Sequence, residues 1–261
     1  MTPLDEPARA QYVRRIQDYM VKAIREAKVN TSWLNPNTAY DDAVRSFIAA
    51  ILEDAPDNRF LADFRSLQRT IAHFGAFNSL AQTLLKLAAP GVPDIYQGTE
   101  LWDFSLVDPD NRRPVDYAVR ARLLAEHEEH RPPAAELLAN LADGRAKLHV
   151  IRQGLAVRKT HAALFHGGRY TPIYADSGYE ENVIAFSLEF GGRAVVAIAP
   201  RLFARKLGDG AAPVGAFWAE ARVALPGGAY VDVMTQRGHN GGSARMADLL
   251  AEFPVALLVR R

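Results

Sequence analysis

Through the first part of the chain, apolar residues recur at three- and four-residue intervals. Over 9–28, Tyr12, Ile16, Tyr19, Met20, Ala23 and Ala27 share a face, which predicts an amphipathic helix. A polar connector, 29–37, carries Asn30, Thr31, Ser32, Trp33, Asn35 and Pro36. Asn37 then suits the cap of a second helix with Tyr40, Val44, Phe47, Ile48, Ile51 and Leu52 on one side. Asp57 or Asn58 precedes a long segment, 59–89, where Gly75 marks the expected meeting of two helices. Its second part, 80–89, is apolar nearly all round and should be buried. Further helices are predicted over 117–130, 134–140 and 145–159, broken by Pro132, Pro133 and Gly144.

The pattern changes near His166-Gly167-Gly168. Short β-rich runs follow at 170–174, 183–190, 193–199, 221–225, 230–232 and 255–259. They are divided by Gly191-Gly192, a hairpin signal, by 208–215, read as a mobile loop, by Pro226-Gly227-Gly228, and by 238–242. The fold class is α+β. A mainly helical part, 1–165, precedes an antiparallel β-sheet or sandwich domain, 166–261.

One short apolar run, 92–97, reads as a parallel-type strand with no partner nearby. A lone strand is unfavourable, because each buried unpaired backbone group costs about 1–3 kcal/mol. Such a strand implies partners from elsewhere, and the helices around it then resemble part of the outer ring of a barrel. Exposed edges and apolar faces lead to an expectation of self-association, either pairing that strand or covering the face of Leu80, Leu84 and Leu87.

Composition narrows the picture without naming a chemistry. With 31 Lys+Arg against 30 Asp+Glu, no overall field draws the chain to nucleic acid or an anionic membrane. Cysteine is absent, which removes disulfide and thiolate chemistry and fits a reducing, cytoplasmic setting. No apolar run approaches the length of a membrane span, and the first twenty residues lack a signal-peptide pattern. The histidines have no metal-ligand spacing, and no cofactor motif occurs. His127 and His130 are read as surface residues, and His73 as a structural one. Trp33 is read as core, with a stacking platform beside Tyr40 as its alternative.

Candidate chemistry concentrates in residues 90–117, PGVPDIYQGTELWDFSLVDPDNRRPVDY. Tyr96, Gln97, Glu100, Trp102, Asp108, Asp110, Asn111, Arg112 and Arg113 place carboxylates, guanidinium groups, amides and aromatic rings in under twenty positions. That mixture suits a sugar, whose hydroxyls need paired hydrogen bonds and whose ring faces stack on aromatics. The alternative is a solvated loop in which Arg112 or Arg113 ties Asp103 or Asp108 into ion pairs.

This run, with NSLAQTLLK (78–86) before it, closely resembles maltooligosyl trehalose synthases of the alpha-amylase clan. VKAIREAKVNTSWLNPNTAY (21–40), LFHGGRYTPI (164–173) and DLLAEFPVALL (248–258) resemble further stretches of that family. The resemblance implies the terminal part of a (β/α)8 barrel, with 92–97 as strand eight, followed by a β-rich C-terminal domain. It also implies trehalose biosynthesis from maltooligosaccharides: the reducing-end α-1,4 linkage is isomerised to α,α-1,1 through a retained glucosyl-enzyme intermediate. The clan's Asp/Glu/Asp trio lies on barrel strands four, five and seven, and the family's His-Asp-Thr-Lys-Arg motif does not occur here. The expectation is therefore a C-terminal portion, inactive alone, with the N-terminal barrel portion as partner. Glu100, Asp108 and Asp110 would then face substrate or brace the loop without catalysing. A non-catalytic α-glucan-binding or scaffolding module is the alternative.

Overall fold

A computed structural model describes residues 4–208 and 210–261. It divides into two units. Unit one holds the described residues up to Arg69 and Phe104–Val115; unit two holds Thr70–Asp103 and Asp116–Arg261.

Unit one is built on two antiparallel helices, α1 (Glu6–Ala27) and α2 (Thr38–Ile51). Asp5 caps α1 by accepting from Ala8 N at 2.9 Å, and Asn37 caps α2 by accepting from Tyr40 N at 3.2 Å. The connector is wound on itself, with Asn37 N donating to Thr31 Oγ1 and Asn35 N to Ser32 Oγ, each at 2.9 Å. Ile48, Leu52 and Leu61 form a small core to which Tyr12, Val13, Ile16, Met20 and Val44 add partly buried surface. The Arg25 guanidinium grips buried Asp41 at 2.6 and 2.9 Å. Trp33 is not core: it is exposed, with Arg25 5.0 Å from its ring centre. It lies in the polar connector between α1 and α2, beside the turns closed by Ser32 and Thr31.

The third helix, α3 (Arg59–Ala88), runs unbroken through Gly75. Asn58 caps it by accepting from Leu61 N at 3.0 Å. A glycine in a helix costs about 1 kcal/mol against alanine, and the packing of the later turns offsets this easily. Leu80, Ala81, Leu84, Leu87 and Ala88 are all buried inside unit two. The apolar face of Leu80, Leu84 and Leu87 is thus already covered by this chain and is not left for a second copy.

Around that segment unit two adds α4 (Tyr117–His130), α5 (Ala134–Ala139), α6 (Arg145–Thr160) and α7 (Ala162–Gly167). Gly154 lets α6 approach α3 closely: a Cβ there would lie 2.8 Å from Leu87 Cδ1 and 3.1 Å from Leu87 Cβ. Gly154→Ala is expected to destabilise the chain by about 1 kcal/mol, since overpacking outweighs the gain in helix propensity. A denaturant midpoint equal to or above that of the parent chain would contradict this.

Six antiparallel strands make one curled sheet: β1 (Arg169–Ile173), β2 (Val183–Phe190), β3 (Arg193–Pro200), β4 (Arg222–Asp232), β5 (Gly238–Arg245) and β6 (Ala256–Arg260), in the order β1-β2-β3-β6-β4-β5. Period-two alternation gives the sheet two apolar faces. Phe186, Leu188, Val195, Ala197 and Leu257 pack with the helices, while Val196, Ile198, Val223, Tyr230 and Leu258 enclose a second core with Trp218 and Leu250. The helices and the sheet of unit two therefore share one core. Gly191 and Gly192 both take positive φ, 56° and 79°, as the predicted β2–β3 hairpin requires.

Three readings of the sequence need correction. The runs 221–225 and 230–232 are one strand, β4, whose pairing shifts between Leu225 and Ala229. The segment 238–242, taken as a break, belongs to the edge strand β5, which pairs only with β4. Its polar and glycine content hid it, because an edge strand needs no apolar alternation. A Cβ on Gly241 would also strike the backbone of Pro226, Gly227 and Gly228. Residues 92–97 form no strand, because among the described residues nothing pairs with them. Of the 208–215 loop, Asp209 lies outside the described residues.

His127 is a further correction. It is buried, not a surface residue, and meets His149 of α6 at 3.1 Å, while His149 Nε2 lies 3.0 Å from Met234 O. The carbonyl can only accept, so His149 Nε2 carries a proton and Nδ1 accepts from His127 Nε2. His127 Nδ1 is then buried without a partner. His73 does have one, with Nε2 2.7 Å from Ala211 O.

Candidate functional site

The nine candidate residues fall in both units. In unit two, the turn after α3 is organised by the first turn of α4. Asp116 caps α4 by accepting from Val119 N at 2.9 Å, which orients Tyr117 and Arg120 toward the preceding loop. Tyr117 Oη donates to Gln97 Oε1 at 2.9 Å. Arg120 donates to Glu100 Oε2 at 3.0 Å, to the Gly98 carbonyl, and to Asp116 O at 3.0 Å. Gly98 takes φ 88°, and Thr99 N reaches back to Tyr96 O at 3.1 Å, closing the turn. Tyr96 is left 56% exposed.

Trp102 faces inward. Its indole N–H donates to Leu141 O at 2.7 Å, its ring packs on the main core, and Lys147 Nζ stands 5.9 Å from the ring centre. Burial, with Lys86 nearby, lowers the Lys147 pKa, and Lys147 Nζ donates to Leu101 O at 3.2 Å.

In unit one, the loop carrying Asp108, Asp110, Asn111, Arg112 and Arg113 is fastened to α1. Arg15 donates from Nε and Nη2 to the two Asp110 carboxylate oxygens, each at 2.8 Å, and from Nη2 to Phe104 O at 3.2 Å. Leu106 N adds a third bond to Asp110 at 2.7 Å, and Arg113 lies 3.0 Å away. The Asp110 side chain is only 8% exposed. The fork from Arg15, first among the causes, holds its pKa down to about 2 against the effect of burial. Lys22 Nζ donates to Asp108 O at 2.6 Å, and Arg112 pairs with Asp108. Asn111, Arg112 and Arg113 present their side chains to solvent.

Three of the carboxylates in the run, Glu100, Asp108 and Asp110, are therefore engaged by guanidinium groups. Of the pairings foreseen, Arg112 with Asp108 is present. Facing outward are the Tyr96 ring and the Gln97 amide in unit two, and the Asn111 amide with the Arg112 and Arg113 guanidinium edges in unit one; such groups can stack on or hydrogen-bond to a polyhydroxylated ligand. Arg15, Lys22, Tyr117 and Arg120 organise the site and were not singled out from the sequence. Arg120 had a signal, lying four residues after the cap Asp116. Arg15 had none, since it is separated from Asp110 by 95 positions. Among the described residues no three His, Asp or Glu side chains cluster to hold a metal, and no helix is long and apolar enough to cross a membrane.

No protein-family model matches the chain. A protein of Mycobacterium tuberculosis that carries the name maltooligosyl trehalose synthase is 35% identical over 246 residues, 94% of this chain and 28% of the relative. The solved maltooligosyltrehalose synthase of Arthrobacter ramosus is 34% identical over 95% of this chain and 30% of its own, with a TM-score of 0.77. Another solved maltooligosyl trehalose synthase superposes with a TM-score of 0.70 at 28% identity, over 96% of this chain. The chain thus spans about three tenths of the length of the proteins it matches. By sequence and by fold it resembles the C-terminal portion of the maltooligosyl trehalose synthases.

Proposed function

We propose that this chain supplies one wall of the substrate site of a maltooligosyl trehalose synthase, a cytoplasmic (1→4)-α-D-glucan 1-α-D-glucosylmutase of trehalose biosynthesis. The observation that carries the proposal is identity of 34–35% sustained over 94–95% of the chain, together with a matching fold. In this reading Tyr96 of unit two stacks on a glucose ring and Gln97 bonds its hydroxyls, while Asn111, Arg112 and Arg113 of unit one bond hydroxyls of the α-glucan. Glu100, Asp108 and Asp110 hold that surface in shape. Trp102 supports the wall from behind, because its N–H is already bonded to Leu141. Isomerisation with retention needs a nucleophile and an acid about 5–5.5 Å apart, and an acceptor held away from water. Glu100, Asp108 and Asp110 are committed to ion pairs with guanidinium groups of the chain itself. The reacting acids are assigned to the N-terminal barrel portion of the enzyme.

The purified chain incubated with maltopentaose is expected to yield no α,α-1,1-linked product by NMR. Formation of that product would overturn the assignment. Calorimetric titration with maltooligosaccharides is expected to show weak binding or none. Tight saturable binding by the chain alone would favour an independent α-glucan-binding module.

A further inference from the structure

Unit one has an unusual balance of surface and core. Among its described residues it buries four apolar side chains, Val21, Ile48, Leu52 and Leu61, and exposes ten large ones. Three of these lie on α3 at helical spacing: Phe60, Phe64 and Leu67, exposed by 48, 42 and 59%. Ile71, 60% exposed, continues the 4-3-4 spacing on the same helix. The Phe60 and Phe64 rings stack at 5.9 Å, so the stripe is contiguous. On the other side of the helix Leu61 is buried in the core of unit one. The stripe is therefore a second apolar face that the unit leaves uncovered.

We infer that this stripe of α3 is a docking face, and that its occupant is polypeptide corresponding to the remaining seven tenths of a maltooligosyl trehalose synthase. The inference rests on the function proposed above. Two observations favour this occupant over a second copy of the chain. The matched proteins are more than three times as long as the matched region, so most of their chain is available to cover it. The four side chains present roughly 400 Å² of apolar surface, taking a fully exposed residue of this size as about 200 Å². That is a patch large enough to mark an interaction site, yet about half of what each partner buries in a standard stable interface. A face of this size holds when it forms one part of a larger contact.

The chain contains no cysteine, which makes single-cysteine labelling a direct test. Phe64→Cys, Leu67→Cys and, as an exposed control on α4, Glu129→Cys are made in two settings. One is the isolated 261-residue chain. The other is a chimaera in which this chain replaces the matching part of the Arthrobacter ramosus synthase, compared with the same chimaera lacking the added cysteine. The expected result is rapid maleimide labelling of all three in the isolated chain. In the chimaera, labelling at positions 64 and 67 slows by at least about 100-fold, while position 129 stays fast. Equal rates at 64 and 67 in both settings overturn the inference, provided circular dichroism and a cooperative unfolding transition show the chimaera folded. Protection already present in the isolated chain and lost on dilution overturns it in favour of a second copy. Protection in a chimaera that makes no trehalose linkage sustains the docking face and counts against the proposed function.

Discussion

Asp110→Ala is expected to loosen unit one by about 3 kcal/mol, within the range for breaking a buried ion pair. The substitution removes the acceptor of the Arg15 fork and of the Leu106 amide together. It takes the carboxylate away from the Arg15 guanidinium, whose bond to Phe104 O remains. Arg15→Lys keeps the charge but loses the two-pronged geometry, and about half of that loss is expected. Acid reveals the same interaction. A carboxyl whose folded pKa is lowered contributes stability above its unfolded value, and that contribution disappears as the pH falls. For Asp110 the window runs from about 4 down to about 2 and is worth about 2 kcal/mol. Amide exchange across 104–113 gives the local readout. Acceleration of about 100-fold in Asp110→Ala is expected, and unchanged exchange would show that the loop does not depend on this pair.

The second large effect belongs to His149, and it works at milder acidity. Burial lowers its pKa from 6.5 to about 4, with His127 and Arg152 adding to the shift and the bond to Met234 opposing it. His127 is lowered as well, chiefly by burial and then by Arg152 and Arg145, while Glu128 acts in the other direction. Below pH 6.5 the unfolded chain therefore binds more protons than the folded one. Stability is full above about 6.5, falls as the pH drops toward 4, and then levels, with a loss of about 3 kcal/mol from His149. The structural cause is plain. A proton on His149 Nδ1 would face the N–H that His127 donates to it. His149→Gln is expected to flatten unfolding free energy between pH 6.5 and 4. Parallel profiles for the two proteins would remove this histidine as the cause.

The helices were legible because each advertises itself locally. Asn37 and Asn58 cap where expected, α4 spans the predicted residues 117–130, and Gly191-Gly192 turns the predicted hairpin. What stayed hidden depends on partners distant in sequence. The edge strand β5 is read only once β4 is known to lie beside it. His127 looks solvated until His149, 22 positions later, packs over it. The same holds for the site. The run 90–117 stands out by composition, yet the residues that fix its shape include Arg15 and Lys22 on a helix at the other end of unit one's sequence. Gly75 misled in the opposite sense: a helix breaker by propensity, it sits in a helix held by packing further along.

The position of β6 has a consequence for how the chain matures. Residues 256–260 form the last of the six strands, yet they lie between β3 and β4 and join two halves that otherwise pair, among the described residues, at the bridge of Ala175 with Val223. During synthesis the β1–β3 meander and the β4–β5 ribbon must wait, each with an open inner border, until this stretch emerges. Those borders, at 195–198 and 230–232, are the places where a nascent chain is most open to pairing with a neighbour. The interval ends only when the final strand slots in as a keystone.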